Sequence, residues 1–301
     1  MLAFYADAFV LPLPPDHRFP MLKYSRLRER IVGKGIVRPE DLRVPDPASD
    51  EDILRVHTAA YWHKVKYGTL SAREQRRIGF PWSAMMVERT RRVCGGTIGA
   101  ATAALQDGVA VNLAGGTHHG HADFGSGYCV TNDVAVATRA LQTRGVIQRA
   151  VVIDCDVHQG DGTAAIFHGD TSVFTFSIHG AKNFPFHKQT SDLDIELPDG
   201  TGDDVYLAMV EEGTRRALAM ANADIAFYIA GADPYVGDRL GKMAVSMAGL
   251  AQRDRIVLEL CRASRLPVAV VMGGGYAHNV EDIAAIHTQT VRAAAETMFG
   301  R

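Results

Sequence analysis

The chain has 301 residues, 47% hydrophobic and 22% charged, enough apolar material for a sizeable core and too much for wholesale disorder. Lysine and arginine number 32 against 34 acidic residues, a formal net charge of −2, which argues against a broad electrostatic grip on nucleic acid. No apolar run reaches the ~18–20 residues of a membrane span, and the stretch from Met1 to Asp7 lacks the basic opening of a secretory signal. Cys94, Cys129, Cys155 and Cys261 are scattered, with no Cys-x-x-Cys pair. A disulfide scaffold or thiolate zinc knot is therefore not expected, and a reducing, cytoplasmic setting is.

The first hundred residues read mainly as helix. Ser71 and Glu74 fit a capping box, and Pro81-Trp82-Ser83 opens a longer helix that stops near Asp107-Gly108. The turn-rich Pro45–Asp52 stretch lies too near the start to mark off a separate domain. Short, continuous apolar runs come next, at Val109–Leu113, Ala150–Ile153, Val173–Ile178, Ile225–Ile229 and Val268–Met272. Runs of this kind suit parallel strands covered on both faces. Helical stretches at Asp133–Thr143, Asp204–Asn222 and Ser246–Arg262 lie between them. The alternation predicts one α/β domain over residues 1–301, with a central, mostly parallel sheet flanked by helices on both faces.

Each apolar run leads into a polar or glycine-rich segment: Gly115-Gly-Thr-His118-His119, Asp154-Cys-Asp156-Val-His158, Ser177-Ile-His179, Ala230-Gly-Ala-Asp233 and Gly273-Gly-Gly-Tyr276. Ligands of open α/β sheets bind beyond the carboxyl ends of the strands, so these segments define an expected active-site rim. In extended backbone Asp154, Asp156 and His158 face one way. Alone, Asp-Val-His also fits an ordinary capped loop. Asp233 changes that balance, because a carboxylate closing a buried strand is costly without a cation. Asp156, His158 and Asp233 together offer three oxygen and nitrogen ligands for a borderline divalent ion such as Zn²⁺, with coordination left for water and substrate.

His118 and His119 should diverge in extended chain, one buried and one solvated, unless the rim gives them work. Asp154 and Asp161 could then each accept a ring N–H from one of them, an arrangement suited to acid–base chemistry. Tyr276 reads either as a core tyrosine after a turn or as a donor to a developing oxyanion. Arg73, Arg76, Arg77, Arg89, Arg91 and Arg92 read as solvated helix faces.

These segments resemble the zinc-dependent histone deacetylase family, which has the arginase–deacetylase fold. The resemblance is carried by Asn112–His119, Gly127–Asp133, Ile153–Gly162, Ala230–Gly241 and Gly273–Tyr276, and more loosely by Phe19–Tyr24 and His57–Tyr61. The Asp-Val-His-Gln form and Gly237-Asp-Arg-Leu-Gly241 are most similar to class IV deacetylases and bacterial histone deacetylase-like amidohydrolases. The resemblance implies Asp156, His158 and Asp233 as zinc ligands and His119 as general base and acid, partnered by Asp161. It makes His118, paired with Asp154, an electrostatic member and Tyr276 the carbonyl-polarising phenol. Gly127 and Tyr128 would line an acyl-lysine tunnel, with Phe184 opposite. A structural K⁺ would take side-chain oxygens from Asp154 and Ser177. No aspartate near Gly79–Ser83 matches the family residue that holds a substrate backbone.

The expected reaction is hydrolysis of an N-acyl amine, with acyl-lysine or an acetylpolyamine as substrate partner, and no nucleic acid or membrane. Iron(II) is an alternative to zinc. A dimanganese ureohydrolase would call for a second aspartate two residues before Asp233, where Gly231 stands. A non-catalytic acyl-amine binding module is the reading from another class.

Overall fold

A computed structural model describes residues 1–299. Among these residues eight strands form one sheet: β1 (Ala3–Phe4), β2 (Leu42–Arg43), β3 (Val109–Asn112), β4 (Ala150–Asp154), β5 (Val173–Gly180), β6 (Leu193–Leu197), β7 (Ile225–Ile229) and β8 (Val268–Val271). Their order is β2-β1-β3-β8-β7-β4-β5-β6, and every neighbouring pair is parallel. The expected mostly parallel sheet is thus parallel throughout. The outer strands β1, β2 and β6 fall outside the five apolar runs: the first two are a single residue pair long, and β6 alternates acidic and apolar residues.

Among the described residues ten α-helices accompany the sheet: α1 (Lys23–Gly33), α2 (Asp50–Leu54), α3 (Ala59–Tyr67), α4 (Ala72–Ile78), α5 (Ala84–Asp107), α6 (Asp133–Thr143), α7 (Asp161–Phe167), α8 (Asp203–Ala221), α9 (Met247–Ala263) and α10 (Val280–Phe299). Local chemistry sets their ends. Ser71 and Glu74 make the reciprocal capping box of α4, and Ser83 and Ser246 cap α5 and α9. No helix among the described residues is long and apolar enough to cross a membrane.

The apolar strands alternate between two cores. Val111, Val151, Ile153, Tyr228 and Val270 face α1, α8, α9 and α10, while Ala110, Val152, Phe227 and Val271 face α3, α5 and α6. Burial on both faces explains why these strands read as unbroken hydrophobic runs. Beneath the strand ends, Arg253 of α9 is fully buried and pairs with Asp254 at 2.8 Å. Its guanidinium also donates to the Gly231 carbonyl at 2.6 Å and the Cys155 carbonyl at 3.3 Å. A buried pair of this kind is stable only when its remaining donors are used; here they hold the two loops that carry Asp156 and Asp233.

Candidate active site

The carboxyl ends of β3, β4, β7 and β8 bring the rim residues together. Past Asp154 the chain leaves the strand and turns: the Asp156 N–H donates to Asp154 Oδ1 at 3.1 Å, and the His158 N–H to Asp156 Oδ1 at 3.0 Å. Successive turns, rather than the expected extended backbone, aim Asp156 and His158 inward. His158 Nδ1 lies 3.0 Å from Asp156 Oδ1 and 3.1 Å from Asp233 Oδ2. One ligand atom from each of the three residues falls within 4.8 Å of the others, and all three are buried.

Backbone donors and close-packed glycines position the two carboxylates. Asp156 Oδ2 accepts the Gly274 N–H at 2.7 Å, and Asp233 Oδ1 accepts the Val157 N–H at 2.9 Å. A Cβ on Gly274 would collide with Asp233 Oδ2, and one on Gly231 would come within 2.5 Å of Asp156 Oδ2. Glycine at 231 therefore leaves no room for the second carboxylate of a two-metal site. Burial, then the Asp156 charge, push the Asp233 carboxyl up to about 7. Burial would raise Asp156 as well, but the facing charges of His118 and His158 hold it well below the usual range. Burial opposes the His158 charge, yet Asp156 and Asp233 carry its pKa up to about 10. Two buried acids converging on one imidazole nitrogen fit a divalent ion with three protein ligands.

His118 and His119 do not diverge. They sit in a turn with ring centroids 4.1 Å apart, and both are buried. Asp133 folds that turn by accepting from the Gly116 N–H (3.1 Å), the Thr117 N–H (2.7 Å) and the Thr117 hydroxyl (2.6 Å). His118 Nδ1 meets Asp154 Oδ2 at 2.6 Å, and His119 Nδ1 meets Asp161 Oδ1 at 2.5 Å. Burial lowers the His118 pKa, but Asp154 and Asp156 outweigh it and raise it to about 9. Burial and then the His118 charge lower His119 to about 4, against the pull of Asp161. His119 is accordingly neutral at pH 7, with Nδ1–H on Asp161 and Nε2 free to accept a proton. On the other side of Asp154, Ser177 lies in register on β5. Its hydroxyl is 2.9 Å from His179 Nδ1.

Tyr276 is buried beside the Asp156–His158–Asp233 cluster, its ring centroid 6.4 Å from that of His158 and 5.7 Å from that of Tyr128. A cavity of about 400 Å³ leads to these residues, lined by His119, Gly127, Tyr128, His158, Phe184 and Tyr276. Gly127 has φ +52°, and a Cβ there would stand 2.6 Å from the His119 ring and 3.1 Å from Phe184. Only glycine keeps that passage open.

Three positioning residues are not evident from the sequence. His121 Nε2 lies 3.0 Å from Asp161 Oδ2, so Asp161 serves two imidazoles. Asp238 accepts the Tyr276 N–H at 2.6 Å. His57 accepts the Asn132 N–H at Nε2, 3.0 Å away, and its Nδ1 donates to the His121 carbonyl at 3.0 Å. His121 stands two positions beyond His119, and a single His-x-His carries little weight without the fold. Asp238 lies within the Gly237–Gly241 stretch and His57 opens the His57–Tyr61 stretch, both of which carry part of the family resemblance, and that is the signal available for them.

The chain matches the histone deacetylase domain over residues 17–293. It is 47% identical over 290 residues to an uncharacterized protein of Picosynechococcus, covering 96% of this chain and 97% of that protein. It is 30% identical to histone deacetylase 2 of Arabidopsis thaliana, covering 86% of this chain and 70% of the relative. The acetoin utilization protein AcuC of Staphylococcus aureus is 24% identical, covering 86% and 72%. The crystal structure of an HDAC homolog from Aquifex aeolicus shares the fold, with a TM-score of 0.83 at 23% identity over all of this chain and 84% of that one. By this match and by the arginase/deacetylase-like sheet that carries the site, the chain belongs to the histone deacetylase family, whose domain implies an amide-hydrolysing deacetylase.

Proposed function

We propose that the protein is a zinc-dependent deacylase that releases an acyl group from the ε-amine of lysine. The observation that carries this reading is the convergence of Asp156, His158 and Asp233 at the inner end of a cavity that also presents His119 and Tyr276. Asp156, His158 and Asp233 would hold Zn²⁺, which when bound polarises an amide carbonyl and lowers the pKa of water toward ~7. His119 Nε2 takes a proton from the attacking water, with Asp161 fixing the tautomer and stabilising the imidazolium. The same nitrogen then returns the proton to the departing amine. The Tyr276 phenol donates to the oxyanion of the tetrahedral intermediate; burial keeps its pKa well above the ordinary value, so it remains a donor at neutral pH. His118 contributes positive charge beside the ligand set.

The lysine reading rests on the passage. Gly127 and Tyr128 form one wall and Phe184 the other, with His119 and Phe184 ring centroids 4.9 Å apart. A narrow, aromatic approach to a polar floor suits an unbranched alkyl chain that ends in an amide. Asp154 and Ser177, side by side on neighbouring strands, would supply side-chain oxygens to a structural K⁺. All four cysteines are free and buried, in keeping with a reducing cytoplasmic setting.

The test is a screen of the purified, zinc-loaded protein against lysine peptides bearing acyl chains of graded length and against acetylpolyamines, each with and without a chelator. Chelator-sensitive hydrolysis of an acyl-lysine peptide is expected. Preference for the polyamines would move the reading to a small-molecule deacetylase, and tight binding without turnover to a binding module.

A further inference from the structure

Four cations stand at the cavity mouth: Arg76 and Arg77 at the end of α4, Lys182 in the loop after β5, and Lys242. All four are exposed, and no carboxylate shares the lining with them. Among the described residues none of the four pairs with an acid, although acids outnumber bases in the chain as a whole, 34 to 32. Two of the four head groups are nevertheless held in place. The Arg77 guanidinium lies over the Phe124 ring, 4.5 Å from its centroid, and the Lys242 ammonium donates to the Lys182 carbonyl at 3.1 Å. The Arg77 carbonyl accepts the Gly127 N–H at 3.1 Å, which ties the arginine pair to the Gly127–Tyr128 wall. Lys182 precedes Phe184 on the other wall.

We propose that this rim selects acyl-lysines set among aspartates and glutamates in a peptide chain. The proposal rests on the deacylase reading and adds the class of sequence it acts on. Unpaired charges of one sign beside an apolar passage favour an oppositely charged ligand and repel a like-charged one. Cations on both walls suit a chain that crosses the opening with acidic residues on each side of the inserted lysine. A polyamine, cationic along its length, meets repulsion at the same place.

The test compares three acetyl-lysine peptides of equal length, flanked by glutamate, glutamine or lysine, together with acetylspermidine, on the zinc-loaded enzyme. The glutamate peptide is expected to exceed the lysine peptide in kcat/KM by about tenfold or more at low ionic strength, mainly through KM. That ratio should shrink severalfold in about 0.5 M salt, because rim charges are screened. In the double variant Arg76→Glu, Lys242→Glu the order should invert, a comparison internal to the variant and independent of its total activity. Hydrolysis of the glutamine peptide with no preference for glutamate flanks, or with preference for lysine flanks or acetylspermidine, would overturn the proposal. Failure to hydrolyse any of the four would instead overturn the deacylase reading, and the proposal with it.

Discussion

The carboxylate of Asp238 holds the backbone of Tyr276. One oxygen accepts the Tyr276 N–H at 2.6 Å, and the other accepts the N–H groups of Leu240 (2.8 Å) and Gly241 (3.0 Å). Asp238 is thus the hub that sets where the phenol stands. Asp238→Asn keeps the shape but offers an amide N–H₂ where a carboxylate oxygen accepted. With charge-assisted acceptors lost, turnover should fall about tenfold to a hundredfold while zinc content stays unchanged. Steady-state kinetics beside elemental analysis checks this; unaltered kcat would remove Asp238 from the positioning of Tyr276.

Tyr276→Phe deletes the hydroxyl alone. A preorganised oxyanion donor is worth about 3–4 kcal/mol of barrier, so kcat should drop by two to three orders of magnitude with KM little changed. Substrate titration of the variant measures both constants. A near-normal kcat would assign the oxyanion to another donor.

The two histidines on Asp161 differ in role. His119 faces the cavity, whereas His121 braces the far oxygen of the same carboxylate and stacks on Phe124 at 4.2 Å. His119→Ala should cost about 10²–10⁴ in kcat. His121→Gln should cost about tenfold or less and shift the acidic limb of the pH profile, because Asp161 keeps its bond to His119. Equal losses in the two variants would contradict this division.

His57 predicts a pH dependence of stability. Burial lowers its pKa to about 4 from an ordinary 6.5, and protonating Nε2 would also break its bond from the Asn132 N–H. The unfolded chain binds that proton more readily, so the stabilisation is full above about pH 6.5 and is lost as pH falls toward about 4. The total for this one group is on the order of 3 kcal/mol, with a slope of up to about 1.4 kcal/mol per pH unit. Urea unfolding at pH 7, 6 and 5 should show the decline, and His57→Gln should flatten it. An unchanged slope would place the titrating group elsewhere.

The legible parts of the sequence are those where one physical signal dominates. Five buried strands show as unbroken apolar runs because both sheet faces are covered, and α6 matches its predicted bounds of Asp133–Thr143 because Asn132 caps it. That Asp156, His158 and Asp233 converge could be expected because a carboxylate closing a buried strand is costly without a cationic partner. Strands β1 and β2 carry too few residues for any periodicity, and β6 has the mixed composition of an edge. The inward turn of His118 and His119 depends on Asp133, which lies beyond them in the chain and reaches them only once α6 docks. Arg76 and Arg77 read as a solvated helix face, which they are, and that this face borders the cavity is a tertiary fact; Arg89, read the same way, is instead buried, donating to the Ala6 and Phe9 carbonyls.

One divalent ion should lie between Asp156, His158 and Asp233. A crystal of the zinc-loaded protein, with anomalous scattering measured at the zinc edge, tests it directly. One peak within coordinating distance of His158 Nδ1 and a carboxylate oxygen of each aspartate is the predicted result. Two peaks in the cavity, or a lone ion bound away from these residues, would contradict it.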